Sequence, residues 1–150
     1  MKPSIRPFSE DDAVEASEMI GRCLSQVTSK HYDARAIEQI REEYTPERLV
    51  EKARKSTMFI AELDGQVVGT VRLEGDTIFT LYVDPSKHRS RIGSKLMAKV
   101  ESIARERGYA RVRVEALVSS TGFYTRRGYR TVRVISQGGF GDVVEMERVF

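Results

Sequence analysis

The spacing of the hydrophobic residues changes several times along this chain, and the order of the spacings limits the folds that it can adopt. Apolar residues recur every three or four positions before about position 53, alternate or run together between Met58 and Val83, return to helical spacing from Ile92 and alternate again from Arg111. Recurrence at three and four residues places side chains on one helix face, whereas alternation is typical of a strand with one buried face. Helices interleaved with strands in this way predict a mixed α/β sheet covered by helices.

The amino-terminal part of the chain is predicted to hold one strand and three helices. Ser4 to Phe8 forms the short first strand, and Ser9 with Asp12 provides a cap and a charged first turn for a helix. Asp33 and the segment Thr45-Pro46-Glu47 are start signals for the second and third helices. The residues predicted to form the buried face of the first helix are Ala16, Met19, Ile20, Cys23, Leu24 and Val27.

The middle of the chain is predicted to form an antiparallel meander of three strands. Asp64-Gly65 and Gly75-Asp76 are turn signals between the strands. Gly69 lies inside the second strand, where a glycine most often marks a bulge. The three strands are Met58 to Leu63, Val67 to Leu73 and Thr77 to Val83.

The last part of the chain is predicted to hold a long helix that starts near Ile92 and stops at Gly108, followed by three more strands and a short helix. These later elements are the strand Arg111 to Leu117, the helix Ser120 to Arg127, and the strands Arg130 to Ser136 and Asp142 to Val149 around Gly138-Gly139. The chain therefore has about seven strands in total.

Size and charge limit the classes of protein to which the chain can belong. Its 150 residues match one compact domain, so we expect a single domain over residues 1–150. Lysine and arginine number 25 against 22 aspartate and glutamate, and the net charge of +3 gives weak support for a polyanionic partner. No apolar run approaches the ~20 residues of a membrane helix, and Met1 to Ser9 lacks a signal-peptide core. We expect a cytoplasmic protein with no membrane partner.

The few cysteine and histidine residues argue against thiol and metal chemistry. Cys23 is the single cysteine, which excludes an internal disulfide and fits a reducing compartment. It lies on the predicted buried helix face with no histidine near it in sequence, so we interpret it as a core side chain. His31 and His88 are the two histidines, and neither has ligand spacing with another candidate, so no metal is expected.

A basic loop precedes the predicted long helix. Lys87, His88, Arg89 and Arg91 crowd the helix start at Ile92. The first turn of a helix offers unpaired backbone N–H groups and the positive end of a dipole, which together hold an anion such as pyrophosphate. Arginines strengthen a preference for phosphate. A solvated surface loop is the alternative interpretation of this segment on its own.

Two segments of this chain are similar to motifs of the GNAT superfamily of N-acyltransferases. Leu81 to Pro85, the basic loop and Ile92 to Leu96 resemble the coenzyme A signature of that family, and Ser119 to Tyr129 resembles its Phe-Tyr-three residues-Gly-Phe segment. The order of elements agrees over almost all 150 residues. The family loop usually has Gln or Arg, two residues, Gly, one residue, then Gly or Ala. Here His88 stands at the position of Gln or Arg, and Arg91 stands at the position of the first glycine. Only Gly93 keeps the residue type of the family.

The resemblance implies a mixed, mainly antiparallel central sheet of about seven strands with helices on both faces. It implies an acyltransferase of the EC 2.3.1 type that moves an acetyl or acyl group from acetyl-CoA, without a metal, to a primary amine through a tetrahedral intermediate. The acceptor would be a small-molecule amine or a protein amine, nucleic acid is not expected as a partner, and a homodimer is allowed. The alternative is a non-catalytic module of the same fold, or a basic nucleic-acid-binding module with a degraded pyrophosphate loop.

The resemblance also assigns roles to particular residues. Tyr124 would donate to the leaving sulfur, and a backbone N–H near Val83 would hold the oxyanion. Glu115 and Asp76 are the candidates for the group that accepts the proton of the amine. The residues implied to contact the coenzyme are Leu81, Tyr82, Val83, His88, Arg89, Ser90, Arg91, Ile92, Gly93, Ser94, Ser120, Phe123 and Arg126. No residue pattern indicates which amine is the acceptor.

Overall fold

A computed structural model describes residues 2–88, 90–136 and 142–150, which form a seven-stranded sheet of order β1-β2-β3-β4-β5-β7-β6 with five α-helices. The strands are β1 (Ser4–Pro7), β2 (Thr57–Leu63), β3 (Gln66–Glu74), β4 (Thr77–Val83), β5 (Arg111–Leu117), β6 (Arg130–Ser136) and β7 (Asp142–Val149). The helices are α1 (Ala13–Gln26), α2 (Ala34–Glu42), α3 (Pro46–Arg54), α4 (Ile92–Glu106) and α5 (Thr121–Arg126). Within the described residues, no helix has the length and apolarity to cross a bilayer.

Neighbouring strands are antiparallel throughout the sheet except for β4 and β5, which are parallel. The first three helices bury their apolar faces on one side of β2, β3 and β4, and α4 and α5 cover the opposite face. The predicted mixed, mainly antiparallel sheet with helices on both faces is therefore confirmed. The predicted turn Gly138-Gly139 lies outside the described residues.

The apolar stripe of α1 is buried as predicted. Ala16, Met19, Ile20 and Leu24 have no exposed surface, and Cys23 is only 4% exposed, as expected of a core side chain. Val27 lies just beyond the last residue of the helix and is only half-buried. A short 3-10 turn precedes the helix, and Ser9 and Asp12 form a capping box at the start of that turn. The predicted cap therefore belongs to the 3-10 turn, and α1 begins directly after it at Ala13.

Gly69 has a different role from the predicted bulge. The extra residue of β3 is the neighbouring Val68, since Ala61 pairs with Gly69 and Glu62 pairs with Val67. A Cβ atom on Gly69 would lie 2.8 Å from Leu96 Cδ1. The glycine is therefore required because α4 packs directly against the backbone of β3.

A bulge in β4 shapes the centre of the sheet and has no local signal in the sequence. Thr70 pairs with Tyr82 but Arg72 pairs with Phe79, so β4 has one residue more than β3 over this stretch. Thr80 adopts a positive φ of 58° inside the bulge, which L-residues avoid. Two side chains of β3 hold it, because Thr70 Oγ1 donates to Thr80 O at 2.8 Å and Arg72 Nε donates to Thr80 Oγ1 at 2.9 Å. Bulges bend a strand and increase its twist.

The pairing of β4 with β5 is short and ends just before this bulge. Only Thr77 with Arg113 and Ile78 with Val114 are in register. From that point the two parallel strands diverge, although β5 continues to Leu117 and β4 to Val83. A gap therefore opens in the middle of the sheet on the side toward which both strands run.

Candidate active site

The gap between β4 and β5 opens into a cavity of ≈ 560 Å³. We name its two walls by the nearest helix. The α4 side consists of the lining residues Val83, His88, Ser119, Ser120 and Tyr124. We include in it the first turn of α4, whose Gly93 lies beside Val83. The α3 side consists of Tyr32, Ile40, Glu43, Tyr44, Lys52, Arg72 and Phe79. Leu81, Tyr82 and Glu115 lie between the two walls. This cavity is thus formed where the sheet is broken.

The register of β3 and β4 directs backbone groups into the gap. Asp84 N donates to Val68 O at 2.9 Å, so this pair is a hydrogen-bonded one. Opposite residues alternate between bonded and non-bonded pairs, and Val83 is therefore in a non-bonded pair with Gly69. The N–H and C=O of Val83 consequently point away from β3 and toward β5.

The carbonyl of Val83 is already engaged by two side chains. Cys23 Sγ donates to it at 3.1 Å, and His88 Nε2 lies 2.9 Å from it. A carbonyl only accepts, so Nε2 of His88 carries the proton in this contact. Burial raises the pKa of the Cys23 thiol to about 12, which makes it a poor nucleophile.

The first turn of α4 has free donors. Arg91 is the N-cap in a left-handed conformation with φ 63°, and its side chain does not cap the helix. Lys95 N donates to Arg91 O at 3.1 Å, which is the first bond of the helix. No described residue accepts a hydrogen bond from the N–H of Ile92, Gly93 or Ser94. Within the described part of the chain, three amide donors at the positive end of the helix dipole therefore have no protein partner.

A second cavity, of ≈ 630 Å³, adjoins this turn and is strongly basic. Its lining residues are Arg91, Ser94, Phe123, Arg126, Arg127 and Arg148. Phe123 packs against Gly93, since a Cβ atom on that glycine would lie 3.4 Å from Phe123 Cζ. Guanidinium groups beside a helix start are the kind of group that could hold phosphate. Two of these four, Arg127 and Arg148, are also paired with Glu101.

Glu101 anchors this basic surface from within the core. It is 4% exposed and accepts from Tyr129 Oη at 2.6 Å and from Arg127 Nη2 at 2.6 Å. Arg148 Nη1 lies 3.2 Å from the same carboxylate. Tyr129 is buried, and its hydroxyl group donates its hydrogen bond to this carboxylate. The role of Glu101 was not predicted, because nothing in the sequence around it distinguishes this residue from a glutamate on the exposed face of a helix.

Tyr124 is buried at the end of the gap. Its ring makes edge contacts with Phe123 and Tyr129, at centroid distances of 5.2 Å and 5.6 Å. Its hydroxyl has no hydrogen-bond partner among the described residues, and the residue lines the cavity. Burial raises the pKa of Tyr124, so the phenol holds its proton and acts as a donor.

The two carboxylates considered as bases have different surroundings. Glu115 lines the cavity and has no ion-pair partner among the described residues. Asp76 is not part of the cavity lining, and Arg113 Nη2 lies 3.2 Å from its Oδ1. Burial disfavours the charged form of Asp76, but hydrogen bonds from Thr77 and Arg113 outweigh this and lower its pKa. Asp76 is therefore a structural ion-pair partner rather than a base.

Comparison with known proteins settles the family. Residues 23–150 match the acetyltransferase (GNAT) domain family. The chain belongs to the GNAT family. An uncharacterized N-acetyltransferase, YafP of Escherichia coli strain K12, is 27% identical over 132 residues, which cover 86% of this chain and 82% of that protein.

Solved structures of GNAT proteins share the fold. A GCN5-related N-acetyltransferase from Rhodopseudomonas palustris superimposes with a TM-score of 0.91 at 24% identity, covering 100% of this chain and 97% of the other. The PaiA N-acetyltransferase of Thermoplasma acidophilum, in complex with coenzyme A, has a TM-score of 0.83 at 22% identity and covers 100% of both chains. The fold predicted from the GNAT resemblance is thereby confirmed.

The structure places most of the predicted site residues in one of the two cavities. Leu81, Tyr82, Val83, His88, Ser120, Tyr124 and Glu115 line the gap, and Arg91, Ser94, Phe123 and Arg126 line the basic cavity. Ile92 and Gly93 contribute backbone only, because the Ile92 side chain is fully buried. The N–H of Ser90 donates to Lys87 O at 3.1 Å, so this amide is engaged within the loop. Arg89 lies outside the described residues.

Proposed function

We propose that this GNAT acetyltransferase transfers the acetyl group of acetyl-CoA to a primary amine. The main support is the uncapped first turn of α4, which presents the N–H groups of Ile92, Gly93 and Ser94 at the edge of the gap. Backbone N–H groups at a helix start, together with the positive end of the helix dipole, are a common binding site for phosphate groups. The coenzyme A complex of the similar Thermoplasma acidophilum protein is consistent with this proposal.

Each part of the coenzyme has matching residues. The diphosphate would bind the free amides of α4, and the four arginines of the basic cavity would bind the remaining phosphate. The chain that carries the thioester would lie between β4 and β5, where the backbone N–H of Val83 points into the gap. Acetyl-CoA supplies an activated acyl group, so no metal is required.

Protein groups would then assist the exchange of bonds. The amine adds to the thioester carbon and forms the C–N bond, which gives a tetrahedral intermediate with negative charge on the acyl oxygen, and the Val83 N–H would stabilise that charge. The C–S bond then breaks as the carbonyl re-forms, and the thiolate leaves. Tyr124 donates a hydrogen bond to the sulfur as it leaves. Reference pKa values of about 10 for a phenol and 8.5 for a thiol make complete proton transfer unfavourable. A hydrogen bond that strengthens as the thiolate forms is sufficient.

The proton lost by the amine would pass to Glu115, directly or through water. Glu115 is the carboxylate of the cavity lining that has no ion-pair partner among the described residues, whereas Glu43 pairs with Lys52 at 3.2 Å. An amine resembling lysine is protonated at neutral pH and must lose a proton before it attacks. An acceptor at this position completes the proton balance of the reaction.

Calorimetry with coenzyme A and measurement of free-thiol release test this proposal. We expect binding of coenzyme A, thermal stabilisation by acetyl-CoA of about 2.7 kcal/mol at 100 times its dissociation constant, and thiol release that depends on an added amine. Absence of heat with coenzyme A would contradict the proposal. If the protein instead bound DNA or RNA with a steep salt dependence, the non-catalytic alternative would be correct.

A further inference from the structure

The α3 side of the cavity contains a buried arginine whose guanidinium group is held by three protein contacts. Arg72 is 7% exposed, and its guanidinium lies over the ring of Phe79 with Cζ 4.5 Å from the ring centroid. Nε donates to Thr80 Oγ1 at 2.9 Å and Nη1 donates to Glu74 Oε1 at 2.9 Å. These three contacts fix the position of the guanidinium before any ligand arrives.

The third nitrogen of Arg72 has no partner in the described part of the chain. Among the described residues, the one fully enclosed side-chain nitrogen or oxygen without a hydrogen bond is Arg127 Nε. Nη2 of Arg72 is therefore not enclosed by protein, and Arg72 lines the cavity. Nη2 carries two N–H groups, and both are available as donors on a residue that lines the cavity.

The other charged groups around the cavity define where each end of a ligand would bind. Lys52 is a second cation, but its Nζ pairs with Glu43 Oε2 at 3.2 Å and lies 5.6 Å from the ring centroid of Tyr44. Glu115 is a carboxylate with no ion-pair partner among the described residues. One donor group of a cation and one carboxylate thus lack partners within the same cavity. A ligand that carries both charges would satisfy each of them.

We propose that the acceptor is an amine that also carries a carboxylate, and that Arg72 Nη2 binds this carboxylate. This inference rests on the proposed function. A positioned guanidinium binds a carboxylate through charge-assisted hydrogen bonds that are stronger than neutral ones. With its carboxylate on Arg72, the acceptor directs its amine toward Glu115 and the gap. Tyr44 and Tyr82, in edge contact at 5.3 Å, provide an apolar wall for the body of the ligand.

Matched pairs of amines with and without the carboxylate test the proposal. Suitable pairs are tyrosine with tyramine, phenylalanine with phenethylamine, lysine with cadaverine, and γ-aminobutyrate with propylamine. We expect kcat/KM for thiol release to be about 10- to 100-fold higher for the carboxylate member of the preferred pair. Equal rates within every pair, or faster reaction of the amines that lack the carboxylate, would overturn the proposal.

Two variants assign the preference to one cation. Arg72→Met should abolish the preference for the carboxylate member while leaving the dissociation constant of coenzyme A unchanged. Both cations have an ion-pair partner, Lys52 in Glu43 and Arg72 in Glu74. Lys52→Met should nevertheless retain the preference, because the proposal assigns the carboxylate to Nη2 of Arg72. A preference that persists in Arg72→Met, or that disappears only in Lys52→Met, would overturn the role of Arg72.

A control is needed because Arg72 also holds Thr80 in the bulge. Glycine adopts a positive φ without support, so Arg72→Met is repeated in a Thr80→Gly background. We expect the preference to be present in Thr80→Gly and absent in the double variant. If Thr80→Gly restored the preference in the double variant, Arg72 would act through the bulge and the proposal would be wrong. If the proposed acetyltransferase function were itself wrong, coenzyme A binding and thiol release would be absent with every amine. That result differs from the equal rates within each pair that would contradict the carboxylate proposal.

Discussion

The two walls of the cavity are made of different kinds of groups. The α4 side depends mainly on backbone, through the N–H groups of the first turn of α4 and of Val83. The α3 side depends on side chains, above all Tyr44, Lys52 and Arg72. Backbone groups are placed by the fold and survive substitution, whereas side-chain contacts change with each residue.

This difference explains how the family loop can be altered while its geometry is kept. Arg91 stands where the family usually has glycine, yet its backbone adopts the left-handed conformation and the amides after it remain free. By contrast, α2 and α3 have side-chain caps, from Asp33 to Ala36 N and from Thr45 to Arg48 N. Like α1 and α5, α4 has no side-chain cap at its N-cap residue.

Tyr124 contributes a side chain to the α4 side, which otherwise depends on backbone groups. Its substitution gives the largest expected loss of activity. Tyr124→Phe removes the hydroxyl while keeping the ring that packs on Phe123 and Tyr129. We expect kcat to fall about 10²- to 10⁴-fold with the dissociation constant of coenzyme A unchanged. Full turnover by this variant with every amine would show that the sulfur needs no donor.

The pH dependence offers a second check on the same residue. A donor acts while it is protonated, and burial raises the pKa of Tyr124. The rate should therefore not decline as pH rises through the ordinary phenol pKa of about 10. A decline of kcat at about pH 10 that is absent in Tyr124→Phe would mean that the phenol ionises in its ordinary range.

The next largest expected effect comes from a negative charge added at the first turn of α4. It tests whether the backbone amides of that turn bind coenzyme A. Ser94→Glu places a carboxylate beside the free amides, where it competes with phosphate and also favours the helix dipole. We expect coenzyme A affinity to fall about tenfold while the free energy of unfolding rises by about 0.5 kcal/mol.

Ser94→Gln is the matched control, since it has nearly the same shape without the charge. It should bind coenzyme A with an affinity close to that of the natural chain. Equal losses in both variants would indicate crowding at Ser94 rather than competition for the amides. Calorimetry and denaturant unfolding measure the two quantities.

The same contrast explains which features could be predicted from the sequence. The limits of β4, β5, β6 and β7 match the predicted ones, because alternating apolar residues and turn signals are local properties. The start of α4 and its free donors were predicted for the same reason. Tyr124 was identified because its motif resembles one of a known family.

Features that depend on contacts between distant elements could not be predicted. Nothing next to Thr80 indicates a positive φ, and threonine favours ordinary strand geometry. The conformation depends on Thr70 and Arg72 from the neighbouring strand. The α3 side of the cavity was missed in the same way, because Tyr44 and Arg72 belong to separate elements and neither lies in a recognisable motif.

The smallest expected effect concerns the cost of a side chain at Arg91. Arg91→Gly and Arg91→Ala both remove the guanidinium, and they differ only in the Cβ atom. A Cβ in the left-handed region costs about 1 kcal/mol, so the glycine variant should have the higher free energy of unfolding by roughly this amount. Both variants should weaken coenzyme A binding equally if the guanidinium contacts phosphate. An alanine variant as stable as the glycine variant would mean that the loop changes conformation, and the free amides would then depend on the residue at this position after all.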